Sequence, residues 1–160
     1  MASVSYCVEL MLISSAGIED AEAILSLQKR AYESEARLYD DWSIPPMVQS
    51  LESMRDELAS LHVLKAVDGD ALVGSVRARV EGGVGHIGRL IVEPALQGRG
   101  IGSALLRAME AQLAQCRQFE LFTGSRSEAN VRLYRRHGYE VTGNRELSPT
   151  VTLILMRKVT

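Results

Sequence analysis

Three glycines at alternate positions, Gly98, Gly100 and Gly102, stand between an apolar run and a helix-periodic segment, and nothing else in the chain constrains its fold as tightly. The run Leu90-Ile91-Val92 reads as the end of a strand, and Pro94 marks the turn that follows. From Ile101 onward, Leu105, Leu106, Met109, Leu113 and Cys116 fall on one face at helical spacing, while Arg107, Glu110 and Arg117 fall on or near the other. A helix start leaves backbone N–H groups without partners, and the macrodipole adds positive potential there. Glycines let the chain fold back and let a ligand approach the backbone closely. The segment from Gln97 to Ser103 therefore has the makings of an anion cradle suited to phosphates. It is not a P-loop, because no lysine follows the glycines. Nor is it a G-x-G-x-x-G fingerprint: counting from Gly98 puts Ser103 in the last place, and counting from Gly100 puts Leu105 there. A tight turn that binds nothing is the plain alternative.

The rest of the chain alternates. Val8 to Ile13 reads as an opening strand and Ser15 to Gly17 as a turn. Helical spacing runs from Ile18 to about Leu38, and the two prolines of the segment Tyr39 to Pro46 bar its continuation. A second helix carries Leu51, Met54, Leu58 and Leu61 on its apolar side. His62 to Val67 and Ala71 to Val80 form a hairpin through Asp68-Gly69-Asp70, and Val84 to Val92 is the next strand. Beyond the central helix come a strand from Phe119 to Thr123 and a helix from Glu128 to His137 that stops at Gly138. Tyr139 to Thr142 and Val151 to Met156 close the chain as strands. The order β-α-α-β-β-β-α-β-α-β-β predicts an α/β fold, a mixed and largely antiparallel sheet flanked by helices, in one domain over residues 1–160.

Composition narrows the functional classes. A hydrophobic content of 46%, a charged content of 24% and a net charge of -2 fit a soluble globular protein and give no case for nucleic-acid binding. Charge is unevenly spread: residues 1–80 hold 7 Lys/Arg against 13 Asp/Glu, and residues 81–160 hold 11 against 7. Such a division suits a cationic substrate meeting an anionic cofactor. Cys7 and Cys116 lack metal-ligand spacing and read as buried free thiols in a reducing, cytoplasmic setting; no metal site is expected. Met1 to Ser15 has no basic residue ahead of its apolar stretch and contains Glu9, so it reads as a strand rather than a signal peptide. No apolar run is long enough to span a bilayer.

The pattern Gln97-x-x-Gly100-x-Gly102 after a Leu-Ile-Val strand, with Leu133-Tyr134 and Gly138-Tyr139 on a later helix and its end, resembles the acetyl-coenzyme A loop and its setting in the GNAT family of N-acetyltransferases. The resemblance in element order covers nearly the whole chain, and it implies a fold in which two neighbouring strands splay apart to admit the pantetheine arm. It also implies acetyl-CoA as cofactor, with Gln97 and the backbone N–H groups of Gly98, Arg99, Gly100, Ile101, Gly102 and Ser103 at the pyrophosphate. Each charge-assisted contact there is worth roughly 1.5–3 kcal/mol. Leu90 is expected to offer its N–H to the thioester oxygen, and Ile91 and Val92 to pair with the pantetheine.

Tyr134 is the expected general acid, protonated at neutral pH and able to donate to a leaving thiolate. Many family members place a pantetheine-binding asparagine seven residues before that tyrosine, where this chain has Ser127; Asn130, four residues before it, is the expected substitute. His86 falls on the strand of Leu90, on the same side by period-two alternation, where histone-acetylating relatives hold a glutamate base. A histidine satisfied structurally is the alternative. The segment after the first helix usually lines the acceptor pocket in this family. Here Glu33, Tyr39, Asp40, Asp41 and Trp42, with Glu35 nearby, favour a cationic amine; should that segment be plain solvated surface, the acceptor site is expected beside His86 and the turn at Arg145 to Pro149.

The expected reaction is transfer of an acetyl group from acetyl-CoA to a primary amine, a small cation or a peptide amine, by direct attack. Neither nucleic acid nor membrane is an expected partner, and a homodimer is compatible with the pattern. The competing readings are an acyl-CoA-binding regulatory module without turnover, and a phosphate-binding domain outside the family.

Overall fold

The computed structural model describes residues 11–160. Its elements are β1 (Leu12–Ser15), a single 3-10 turn (Ile18–Asp20), α1 (Ala21–Tyr39), α2 (Pro45–Val48), α3 (Leu51–Ser60), β2 (His62–Asp68), β3 (Ala71–Glu81) and β4 (Val84–Val92). After a second 3-10 turn (Pro94–Leu96) come α4 (Ile101–Gln112), β5 (Gln118–Gly124), α5 (Glu128–Arg136), β6 (Glu140–Glu146) and β7 (Thr152–Val159). The short helix α2 is the one element beyond the expected order. The prolines that stop α1 also start α2, because Pro45 and Pro46 occupy its first turn, where a missing N–H costs nothing and φ is already helical. The expected strand over Val8 to Ile13 is described only from Leu12 as β1; its first residues and Cys7 lie outside the described part.

All seven strands form one sheet in the order β1-β2-β3-β4-β5-β7-β6. Every neighbouring pair is antiparallel except β4 and β5. That parallel pair is brief: Val84, Gly85 and His86 align with Gln118, Phe119 and Glu120, and beyond them the two strands part. A parallel pair needs a crossover, and α4 supplies it. The residues at which the strands part are those that lead β4 toward the glycine loop, so the gap in the sheet opens beside Leu90.

A second irregularity sits on the same strand. Ser75 of β3 faces Ile91 and Arg77 faces Gly88, so Val76 alone opposes both Arg89 and Leu90. This is a β-bulge, and Arg89 takes it up in the left-handed region at φ 48°. The extra residue reverses alternation along β4. Before it, Ile87 packs into the main core against α4; after it, Leu90 and Val92 pack toward that core, while Ile91 joins Ile24 and Met54 around a small gap beneath α1 and α3. His86 and the side chain of Leu90 therefore lie on opposite faces of the sheet, and the expected shared side is corrected. Period-two reasoning holds only while the ladder is unbroken.

The main core joins the sheet to α4, with Leu105, Leu106, Met109 and Leu113 wholly buried and Cys116 a buried free thiol. Ala21, Ile24, Met54, Leu58 and Val63 form a second cluster that seats α1 and α3 on the other face. A third, of Ala36, Tyr39, Ile44, Val151 and Leu153, closes the C-terminal end of α1 over β7. Among the described residues no helix is long and apolar enough to cross a membrane.

Candidate active site

The loop that joins β4 to α4 is built on two left-handed glycines. Gly98 lies at φ 79° and Gly100, which caps α4, at φ 85°, conformations that strain any side chain. Open space stands where a Cβ would project from either residue. The loop's outer surface is thus bare backbone at the N-terminus of a 12-residue helix, which fits a pyrophosphate. Gly98, Arg99 and Gly100 are exposed, Ile101 is buried as an anchor in the core, and Gly102 and Ser103 are half-buried in the first turn. The Ser103 hydroxyl lies 2.9 Å from Nε2 of His137, which ties the first turn of α4 to the end of α5. Burial, with the charge of Arg107 next, lowers the pKa of His137, so the ring is neutral at pH 7.

From this loop a channel of about 420 Å³ runs along β4 between α1 and the start of α5. Gln97, Val92, Ile91 and Leu90 form one wall, and Ser127, Asn130, Tyr32 and Glu35 are on the others. A second cavity, of about 200 Å³, lies deeper, in the gap between β4 and β5. Tyr32, Glu35, Leu90 and Asn130 line both. Tyr134 lines the inner cavity only. Its ring is buried edge-on to Tyr139 at 5.9 Å, and its hydroxyl has no protein partner among the described residues. Burial, reinforced by Tyr32 and Glu35, pushes its pKa well above the usual phenol value. The group therefore stays protonated and free to donate into the cavity.

Asn130 and Ser127 divide the position that the resemblance assigned to one residue. Ser127 Oγ donates to Glu35 at 2.6 Å and lies 3.5 Å from the Tyr39 hydroxyl, while the Asn130 amide lies 3.4 Å from both Glu35 and Thr123. Asn130 is the member of the pair that reaches both the channel and the inner cavity.

His86 stands elsewhere. It lines an open groove of about 550 Å³ on the α3 face of the sheet, with Nδ1 3.7 Å from Glu120. The groove meets the inner cavity at Arg77, Gly88, Phe122 and Arg145, so His86 flanks the approach to the cavity rather than sharing it with Tyr134.

Of the expected acceptor residues, Tyr39 and Glu35 line the inner cavity, and the Tyr39 hydroxyl is committed to accepting the N–H of Arg126 at 2.8 Å. Glu33 faces Arg37 at 3.8 Å on the exposed side of α1, and Trp42 lies under the Arg37 guanidinium at 5.8 Å. Asp40 is the left-handed cap of α1, and Asp41 is spent on Ser43 and Thr150. Those hydrogen bonds, Ser43 first, hold the Asp41 carboxyl below its usual range. Glu33, Asp40, Asp41 and Trp42 line none of the three cavities.

Of the four charged side chains that line the inner cavity, three are arginines and one is Glu35. Arg77 is paired with Glu57. Arg89 donates to the Gln49 side-chain oxygen at 2.9 Å and has no carboxylate partner among the described residues. Burial, with the Arg77 charge next, lowers its pKa from the ordinary guanidinium value. Arg145 lies 5.9 Å over the Phe122 ring, again without an acidic partner among them. Sequence reading missed Arg77 and Arg89, and it offered the turn at Arg145 to Pro149 only as the alternative to the acidic segment. Alternation on β3 brings Arg77 and Arg79 to one face, and Gly88 inside a strand is a signal for a bulge; no local signal brings Arg145 from β6.

Comparison with known proteins agrees with this geometry. A family model described as an acetyltransferase (GNAT) domain matches residues 31–160. The chain belongs to the GNAT family, and it is an N-acetyltransferase that uses acetyl-CoA. Its fold is similar to that of the PaiA N-acetyltransferase from Thermoplasma acidophilum in complex with coenzyme A, at TM-score 0.78 and 16% identity over 94% of this chain and 99% of that one. It is also similar to the ribosomal-protein-S18-alanine N-acetyltransferase from Escherichia coli, at TM-score 0.77 and 17% identity over 93% of each chain. A third similar structure is yncA from Salmonella typhimurium with acetyl-CoA, at TM-score 0.72 and 20% identity over 94% of each chain.

Proposed function

We propose that this enzyme acetylates a primary amine by direct attack on acetyl-CoA, with the amine in the inner cavity and the pantetheine arm in the channel. One observation carries this reading: the two spaces share Tyr32, Glu35, Leu90 and Asn130, so an amine and a thioester placed in them meet at Leu90. Gln97 and the N–H groups from Gly98 to Ser103 hold the pyrophosphate, and Ile91, Val92 and Asn130 hold the pantetheine. Acetyl-CoA supplies the activated acetyl group. The amine nitrogen bonds to the acetyl carbon, the carbon–sulfur bond breaks, the amine loses a proton and the thiolate gains one.

Leu90 N–H, at the bulge where the ladder is interrupted, receives the charge that develops on the thioester oxygen. Tyr134 hands its proton to the sulfur. Glu35 takes the amine's proton, directly or through water: it is the carboxylate that lines both spaces, and its hydrogen bonds to Ser127 and Asn130 hold it at the junction. A neutral amine is needed for attack. Drawing it from an ammonium of pKa about 10.4 near pH 7 costs roughly 4–5 kcal/mol; Glu35 does not lower that cost, and its part is to accept the proton that the nitrogen sheds as the nitrogen–carbon bond forms.

The test is an amine panel assayed by thiol release and product mass. Glu35→Gln should lower kcat at least about 100-fold on the best amine, within the range for a general base. His86→Gln should change it by less than about threefold. The opposite ranking would move the base to the outer groove at His86, the position that the strand pattern marks.

A further inference from the structure

The inner cavity has a polarity that a simple cationic amine does not use. At its junction with the channel stands Glu35, whose hydrogen-bond partners Ser127 and Asn130 are neutral. At its junction with the open groove stand Arg77 and Arg145, and Arg89 reaches the wall of the same cavity from the bulge. Arg77 is neutralised by Glu57, whereas Arg89 and Arg145 make no ion pair with a carboxylate among the described residues, Glu57 acting on Arg89 only at longer range. A guanidinium carries five N–H donors in a planar fork that matches a carboxylate, and here one neutral oxygen, that of Gln49, engages Arg89. Leaving such a group half-buried and unpaired is costly. The backbone adds a cost of its own, since Arg89 is a non-glycine residue at φ 48°, and such strain concentrates where a site requires it.

We infer that the acceptor is an amine that carries its own carboxylate, bound with its nitrogen toward Glu35 and its carboxylate on Arg89, with Arg145 closing over it from the groove side. The inference rests on the proposed acetyl transfer and names its substrate class. It turns the cationic preference expected from Asp40 and Asp41 into a preference for a zwitterion, because those carboxylates face away from the cavity while three arginines face it.

The experiment compares matched acceptors with wild-type enzyme: amino acids and dipeptides as free acids and as their C-terminal amides, with aminomethylphosphonate set against glycine. Free acids should exceed their amides in kcat/KM by about tenfold or more, the effect of one charge-assisted contact in a partly buried site. Arg89→Gln and Arg145→Gln should each shrink that acid-to-amide ratio, with Arg89→Lys intermediate because a point charge replaces the fork. The two glutamine variants stand in for each other should one fail to fold, and the wild-type ratio needs neither.

Amides acetylated as well as or better than acids would overturn the inference and leave the transferase reading intact. So would an acid preference that both glutamine variants retain. Aminomethylphosphonate outrunning glycine would replace the carboxylate by a phosphorus oxyanion. Absence of any acetylated amine, with acetyl-CoA binding confirmed by calorimetry, would instead remove the transferase reading, and the inference with it.

Discussion

At the scale of single residues, the proposed proton traffic runs through Tyr134 and the cavity around it. The phenol is buried, its hydroxyl is free of protein partners, and burial with Tyr32 and Glu35 raises its pKa. A raised phenol pKa keeps the proton in place as pH rises, so the group remains a donor throughout the neutral and mildly alkaline range. Tyr134→Phe retains the ring packed against Tyr139 and removes the donor. It should lower kcat roughly 10²–10⁴-fold while acetyl-CoA affinity stays within about twofold. The wild-type kcat profile should show no alkaline fall below about pH 9 from this group. An unchanged kcat with chemistry rate-limiting would take Tyr134 out of the mechanism. Tyr134 was legible in advance because the resemblance fixes it by local spacing, Leu133-Tyr134 ahead of Gly138-Tyr139. Tyr32 was not legible, since it reaches the cavity from α1, far from any motif.

At the scale of elements, the β4–loop–α4 unit does most of the positioning, and its parts differ in how openly the sequence displays them. Helix α4 follows from its apolar spacing: each of Ile101, Leu105, Leu106, Met109, Leu113 and Cys116 is buried. The loop follows from its glycines. The bulge was only half displayed: Gly88 inside the strand signals an irregularity, but Arg89 takes the left-handed conformation in which glycine would be the expected residue. It changes more than one position: by reversing alternation it sends Arg89 to the cavity side and separates His86 from Leu90. The short helix α2 was masked by the two prolines, which end one helix and begin the next.

The loop also yields a test of its own. A large side chain at Gly100 would meet a strained backbone and would fill the open space proposed for the pyrophosphate. Gly100→Trp should weaken acetyl-CoA binding at least about tenfold in calorimetry, an effect the size of one charge-assisted contact. Binding equal to wild type in a folded variant would place the phosphate cradle elsewhere.

At the scale of the whole molecule, the site is a gap in a sheet. β4 and β5 pair over three residues and then part; α1 covers the opening from one face of the sheet and α5, packed beside α4, from the other, while β6 and β7 extend the far side. Helix order and strand content could be read along the chain, and they gave the class of fold. Which strands become neighbours is a nonlocal matter: β5 sits beside both β4 and β7, a placement that no run of residues announces and that the family resemblance implied only in outline. The same holds for the acceptor side. The acidic segment Asp40-Asp41-Trp42 looked apt by composition, yet its carboxylates are taken up as a helix cap and by Ser43 and Thr150, while the cavity draws its charge from three separate strands.

If channel and cavity meet as proposed, acetyl passes from thioester to amine in one step within a complex of both substrates. Initial rates measured while acetyl-CoA and the best amine are varied together decide this. Intersecting lines in double-reciprocal plots are expected, with no release of free CoA thiol until amine is added. Parallel lines, with a burst of one equivalent of thiol in the absence of amine, would mean that an acetylated enzyme intervenes, and would contradict transfer in one step.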